Sequence, residues 1–194
     1  MNVTENVPVF VRAQQGALSQ LLWVVLFVAA TAVGARVEIF HQPVPYTLQT
    51  MVVLLAGAFL GARDGATSQV VYLVVGLLGA PVFSMGGSGL TWLLGPTGGY
   101  LLSFPIAAAV VGYLIHTRRS LLWSFISMAI GATIIFACGT VQLYAVVIHN
   151  WANAFSAGFL IFSWWDILKL SAAAMTYHEI AKRWSRVPNS FPSN

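Results

Sequence analysis

Six apolar segments account for most of this chain and limit what it can fold into. At 1.5 Å of rise per helical residue, about 20 apolar residues span the hydrocarbon core of a bilayer. Of the 194 residues, 58% are hydrophobic and only 7% are charged, whereas a soluble domain is about 25% charged. The sequence therefore predicts an all-α membrane protein with a single integral membrane domain over residues 1–194. Its six predicted transmembrane helices are 17–35, 48–60, 66–79, 98–115, 121–148 and 155–178.

Charge patterning orients these predicted helices. With six spans, both termini lie on one side of the membrane, and that side then collects nearly all of the basic residues. They are Arg12, Arg63, Arg118, Arg119, Lys182, Arg183 and Arg186. The opposite side holds Arg36, close to Glu38. The positive-inside rule therefore places both termini in the cytoplasm. The net charge of +4 is too scattered to suit nucleic acid.

The two ends of the chain lead to different expectations. The N-terminal stretch lacks the basic region and the small-residue cleavage site of a signal peptide, so we expect the first apolar segment to stay as a membrane helix. Residues 187–194 are rich in Pro, Ser and Asn, and we expect them to form a disordered tail.

Two unusual loops lie on the predicted outer side. One covers residues 36–50, and the other, residues 79–100, contains seven glycines and two prolines within an apolar stretch. Its large apolar residues, such as Phe83 and Trp92, would not usually be exposed by a solvated linker. Because glycine permits tight turns, we expect this second loop to fold back over the bundle as a lid.

Asp166 and Lys169 interrupt the last apolar segment. Each costs about 2.5 to 3.5 kcal/mol at the centre of a membrane helix. For a helix that begins near Phe155, the helical rise places Asp166 near mid-membrane, and residues three apart share one face and can pair. A self-neutralising ion pair is one interpretation. We favour a polar site that faces the bundle interior and suits a small ligand with both N–H and C=O groups.

Other chemistry finds less support in the sequence. The Gly-Gly-Ser-Gly stretch at 86–89 fits the short G-x-S-G pattern of rhomboid-like intramembrane proteases, with Ser88 as nucleophile and His149 as base. Such a serine belongs at the start of a buried helix, whereas Ser88 lies in a Pro/Gly-rich loop. The histidines show no metal-ligand spacing, and the single Cys138 cannot form an internal disulfide. No Walker motif occurs, so any ATP hydrolysis belongs to a partner.

Four stretches together resemble the BioY family, the biotin-specific substrate-binding (S) component of energy-coupling factor (ECF) transporters. They are PVPYTLQTMVVLLAGAFLGARDGA, YLVVGLLGAPVFSMGGSG, LLGPTGGYLLSF and the Asp-x-x-Lys of WWDILKL. The match runs from about Ala30 to Ala174. The chain departs from the family pattern at Trp164 and Trp165, where Pro-Gly is usual, and at Tyr46, where a smaller or β-branched residue is common.

The resemblance implies a six-helix S-component bundle in the bacterial plasma (inner) membrane that is not an enzyme. Such a bundle binds biotin from the outside and docks onto a transmembrane coupling protein with two ABC ATPases. ATP is then used only by the partners, and no cofactor or metal is expected. An S component for another small vitamin or heterocycle is the alternative, and the protease is a third.

The resemblance also implies the site residues. Asp166 would accept a ureido N–H of biotin, and Lys169 would donate to a biotin oxygen, either the ureido carbonyl or the tail carboxylate. The residues expected to close over the ligand are Ser84, Gly86, Gly89, Thr47, Gln49 and Tyr100. Ala30 and Gly34 are the predicted small-residue pair for docking the coupling protein, with Ala13 and Ala17 as a second option.

Overall fold

Helices make up most of the computed structural model, which describes residues 17–39, 44–118, 120–160 and 164–184. The helices are α1 (Ala17–Arg36), α2 (Gln49–Leu77), α3 (Leu90–Leu94), α4 (Gly98–Leu114), α5 (Leu121–Leu143), α6 (Trp151–Gly158) and α7 (Trp164–Trp184). The strands β1 (Glu38–Ile39) and β2 (Tyr46–Thr47) form one short antiparallel ladder. The all-helical class predicted from the sequence is confirmed.

Helix α2 is a hairpin of two helical arms rather than one rod. Gly61 interrupts it with φ 83° and ψ −179°, a conformation open to glycine and strained for other residues. The side chain of Gln49 reaches Tyr72, and a Cβ on Gly65 would lie 2.8 Å from the Cα of Gly57. Residues 49–60 and 62–77 therefore run antiparallel. The sequence predicted segments 48–60 and 66–79 with a longer connection, and the structure reduces this connection to one glycine.

Helix α4 packs against this hairpin backbone to backbone. A Cβ added to Gly57 would lie 2.2 Å from the carbonyl oxygen of Ala108, and one added to Gly112 would lie 2.4 Å from the nitrogen of Ala62. Small residues are what allow membrane helices to approach this closely. Pro105 lies inside α4, which continues through it.

The prediction of one helix over 155–178 is wrong. The chain forms two helices in this region, α6 and α7, and residues 161–163 between them lie outside the described part. Helix α6 is capped by Asn150, the residue before it, whose side chain accepts the backbone N–H of Asn153 at 3.1 Å. The predicted segment 121–148 is α5 followed by a π-helical turn, Tyr144–Ile148. The predicted tail, residues 187–194, lies outside the described residues.

Two helical stretches are long and apolar enough to cross a membrane by length and composition, Ala17–Arg36 and Leu121–Ile148, and α4 is a shorter apolar helix. Buried hydroxyl groups in the bundle bond to the carbonyls of their own helices. Ser103 donates to Tyr100, and Thr140 donates to Phe136. Such local bonds satisfy polar groups that would otherwise lack partners in an apolar interior.

Candidate functional site

The sequence-predicted pair, Asp166 and Lys169, lies in the first turns of α7. Lys169 Nζ is 2.7 Å from Asp166 Oδ1, and the two side chains are only 7% and 4% exposed. The spacing of three residues places both on one helix face, which is why they meet. Two buried charges of opposite sign give a polar spot with no net charge inside an apolar bundle.

Lys169 also ties α7 to the start of α2. Its Nζ donates to the carbonyl oxygen of Thr47 at 3.1 Å and to Thr50 Oγ1 at 3.3 Å. Together with Asp166, these acceptors use all three protons of the ammonium group. Lys169 therefore positions Asp166 against β2 and the first turn of α2, and its ammonium group already has as many acceptors among the described residues as it has protons.

A cavity opens beside this pair. It contains about 550 Å³ of space free of protein atoms, part of it open to solvent. Its polar lining comprises Thr47, Gln49, Thr50, Ser84, Thr97, Asp166 and Lys169. Its aromatic and aliphatic walls are Val44, Pro45, Tyr46, Tyr100, Leu101, Phe104 and Phe136. A few polar groups within an apolar wall are typical of a small-molecule site.

The first loop brings Tyr46 and Thr47 to the cavity. The ladder pairs Glu38 with Thr47 and Ile39 with Tyr46, and the N–H of Leu48 donates to the carbonyl of Val37 at 3.0 Å. Burial, and then the negative charge of Asp166, raise the pKa of the Tyr46 phenol above its ordinary value. The phenol therefore stays protonated at neutral pH and can donate a hydrogen bond.

The glycine-rich loop packs on the bundle, as the sequence analysis expected of a lid. Phe83 is fully buried and meets the ring of Tyr72 edge-on, with centroids 5.6 Å apart. Arg36 donates to the carbonyl of Pro81, and Glu38 accepts the backbone N–H of Met85 at 3.1 Å. Arg36 at the end of α1 and Glu38 in β1 thus hold both sides of the turn that contains Ser84.

Tyr72 links this loop to the cavity wall. The side-chain amide of Gln49 donates to the Tyr72 hydroxyl, which donates to the carbonyl of Val82 at 2.9 Å. Gln49 is 4% exposed and Tyr72 is fully buried. The backbone N–H of Gln49 donates to Thr47 Oγ1 at 3.3 Å. Gln49 therefore connects the first loop, the second arm of α2 and the glycine-rich loop.

The structure separates the predicted site residues into two groups. Asp166, Lys169, Ser84, Thr47, Gln49 and Tyr100 line the cavity. Gly86 and Gly89 are not among the lining residues. They shape the loop instead, because both have positive φ, 75° and 80°. Tyr100 contributes its ring, since its hydroxyl donates to the carbonyl of Gly158 at 3.0 Å.

Sequence reasoning missed Thr50, Thr97, Phe104 and Phe136. Thr50 lies one helical turn before Leu54, and its contact with Lys169 bridges 119 residues of sequence. The two phenylalanines look like ordinary core residues in an apolar helix. Thr97 stands in the GPTGG stretch directly before α4, and a threonine at a helix start usually signals a cap.

The two residues of the predicted docking pair, Ala30 and Gly34, differ in exposure. Gly34 is buried, and a Cβ on it would lie 3.2 Å from the Cα of Gln49, so its small size serves a contact within the chain. Ala30 is partly exposed. Ala13 lies outside the described residues, and Ala17 is exposed at the start of α1. Gly34 therefore contacts α2 within the chain, and docking of a partner at Ala30 and Gly34 stays a prediction.

We predict that Tyr72→Phe lowers the stability of the folded protein by about 1–3 kcal/mol, because it leaves the Gln49 amide and the Val82 carbonyl without their shared partner. Thermal unfolding in detergent measures this. Tyr113→Phe is the matched control, since Tyr113 is 71% exposed. Equal melting temperatures for the two variants would show that this hydrogen-bonded link contributes nothing.

Comparisons with known proteins agree on one family. The model of the BioY family matches residues 5–186. A probable biotin transporter BioY from Lysinibacillus sphaericus is 44% identical over 155 residues, covering 76% of this chain and 78% of that protein. The biotin transporter BioY of Thermotoga maritima is 39% identical over 158 residues, covering 81% and 93%.

A solved structure shares the fold. The crystal structure of the S-component for biotin from an ECF-type ABC transporter superposes with a TM-score of 0.78, over 85% of this chain and 92% of that one, at 22% sequence identity. This similarity supports the helical architecture. The family model and the sequence relatives establish the family. The chain belongs to the BioY family.

Proposed function

We propose that this chain captures biotin and serves as the S component of an ECF-type uptake system. The observation that carries the proposal is the buried Asp166–Lys169 pair beside a cavity with aromatic walls. Biotin combines a compact ring system with ureido N–H and C=O groups, which suits a polar spot inside apolar walls. The names of the relatives, biotin transporters, point to the same ligand.

The geometry assigns different roles to the two charged residues. A carboxylate accepts several hydrogen bonds, so Asp166 can accept a ureido N–H while it remains paired with Lys169. Lys169 balances this charge and fixes its position through Thr47 and Thr50. The sequence analysis assigned Lys169 a direct bond to a biotin oxygen. Its three acceptors within the protein, Asp166, Thr47 and Thr50, favour a positioning role instead.

The proposed topology has six spans in a single membrane domain: α1, the two arms of α2, α4, Leu121–Ile148 and α7. Gly112 packs on Ala62, and the rings of Phe59 and Tyr177 lie 5.3 Å apart, so these helix ends share one end of the bundle, opposite the cavity. The exposed basic residues near that end are Arg63, Arg118, Lys182 and Arg183. The positive-inside rule then places that end and both termini in the cytoplasm and opens the cavity outward.

The proposed partners are a transmembrane coupling protein and two ABC ATPases in the bacterial plasma membrane. The sequence carries no Walker motif, so energy has to come from outside the chain. The described face of α1 presents Leu22, Val25 and Leu26, each more than half exposed, and Ala30 lies one turn further along. This helix can therefore contact lipid or another membrane helix.

A ligand screen on the purified protein in detergent tests the proposed function. We expect biotin to raise the melting temperature in a concentration-dependent way, and thiamine and riboflavin to leave it unchanged. A higher melting temperature with another vitamin and none with biotin would favour the alternative, an S component for another small vitamin or heterocycle. Cleavage of a membrane substrate that is lost in Ser88→Ala, without any response to biotin, would favour the protease.

A further inference from the structure

The described lining of the cavity offers no free cation to a carboxylate. Among its described lining residues, Lys169 is the only cation, and its Nζ already has three acceptors, Asp166, Thr47 and Thr50. Biotin carries a carboxylate at the end of its tail. A buried anion without a hydrogen-bond donor would bind poorly, because removing it from water is costly.

Thr97 offers a donor on another wall of the same cavity. It is 9% exposed, and its Oγ1 is buried with no hydrogen-bond partner among the described residues. It is the residue directly before α4, but its side chain makes no capping bond. An unpaired buried hydroxyl is unfavourable, and a ligand that bonds to it removes that penalty.

The N-terminus of α4 also favours an anion beside Thr97. Gly98 donates its N–H to the Gly95 carbonyl and Leu101 donates to the Thr97 carbonyl. The N–H groups of Gly99 and Tyr100 have no backbone acceptor in the part of the chain that the structure describes. The 17 residues of α4 also place the positive end of a helix dipole here, which favours an anion.

We propose that Thr97, at the N-terminus of α4, binds the carboxylate of the ligand tail, while Asp166 binds the N–H groups at the other end of the ligand. The two polar groups then fix the direction in which the ligand lies between the aromatic walls. This assignment rests on the proposed function and deepens it. It also explains how a site with no free cation can accept an anionic ligand.

Calorimetric titration with two ligands tests the assignment. One ligand is biotin, and the other is an analogue whose tail ends in a methyl group instead of the carboxylate. Thr97→Val removes the hydroxyl at nearly constant shape and is expected to weaken biotin binding about tenfold to a hundredfold, the usual range for a hydrogen bond to a charged group. Binding of the methyl analogue should stay unchanged. Thr97→Ser keeps the hydroxyl and should retain biotin affinity.

The outcomes separate this inference from the proposed function. Wild-type protein that binds biotin while Thr97→Val changes nothing, or weakens both ligands equally, overturns the role of Thr97. If Lys169→Met weakens the binding of biotin far more than that of the methyl analogue, then Lys169 binds the carboxylate. This result would also overturn the role of Thr97. Wild-type protein that binds neither ligand contradicts the proposed function itself.

Discussion

Replacing Asp166 with asparagine is expected to reduce biotin affinity by two orders of magnitude or more. The substitution replaces the charged acceptor for the ureido N–H with a weaker, neutral amide oxygen, and it leaves Lys169, 7% exposed, as a buried charge without its carboxylate. Breaking a buried ion pair from one side costs about 3 to 5 kcal/mol. Isothermal titration of biotin into the purified variant measures the loss.

Two controls separate lost contact from lost folding. Asp64→Asn changes another buried carboxylate, 8% exposed, which accepts the Gln20 amide at 2.8 Å, and it should leave biotin binding intact because Asp64 does not line the cavity. The double variant Asp166→Asn/Lys169→Met removes both charges, so it should recover thermal stability without recovering binding. Biotin affinity in Asp166→Asn equal to that of wild type would refute the site.

The second large effect is expected at Gly57. In Gly57→Leu the new side chain meets the carbonyl of Ala108, which a Cβ alone would approach to 2.2 Å. Backbone atoms cannot move aside as a flexible side chain can, so the hairpin arm and α4 must separate. Overpacking of a tight contact usually costs about 1–3 kcal/mol, and a whole leucine on a backbone contact exceeds that range. We expect Gly57→Leu to yield no monodisperse folded protein in size-exclusion chromatography.

Val70→Ile is the control for this prediction. It also enlarges an apolar side chain of α2, but Val70 is 48% exposed, so the added methylene meets no packed backbone. Its elution profile and melting temperature should match those of wild type. A well-folded Gly57→Leu protein with a wild-type melting temperature would contradict the close backbone approach of α2 and α4.

The sequence was most informative where the signal is local. Apolar composition predicted the helical class, and the spacing of Asp166 and Lys169 predicted their pairing, because residues three apart on a helix share a face regardless of the rest of the fold. The sequence predicted a break between residues 60 and 66 but missed that it is a turn at Gly61 alone, since a single residue with positive φ leaves no change in hydropathy. The division of the last segment into α6 and α7 was missed for a similar reason, because the stretch between them is apolar.

The rest of the cavity depends on contacts between distant parts of the chain. Lys169 meets Thr47 across 122 residues, and no periodicity reveals such a pair. Thr97 looks like an ordinary helix cap in sequence, and only its geometry shows that the hydroxyl makes no cap. Gly86 was predicted to contact ligand because it lies in the lid, whereas its positive φ shapes the turn.

The most direct test is a structure of the purified protein with biotin bound. We expect the ring system to lie between Tyr100, Phe104 and Phe136, with a ureido nitrogen within about 3 Å of an Asp166 oxygen, the normal hydrogen-bond distance. Biotin bound elsewhere, for example in the apolar groove beside Leu94 and Val141, with the cavity empty, would contradict the assignment of the site.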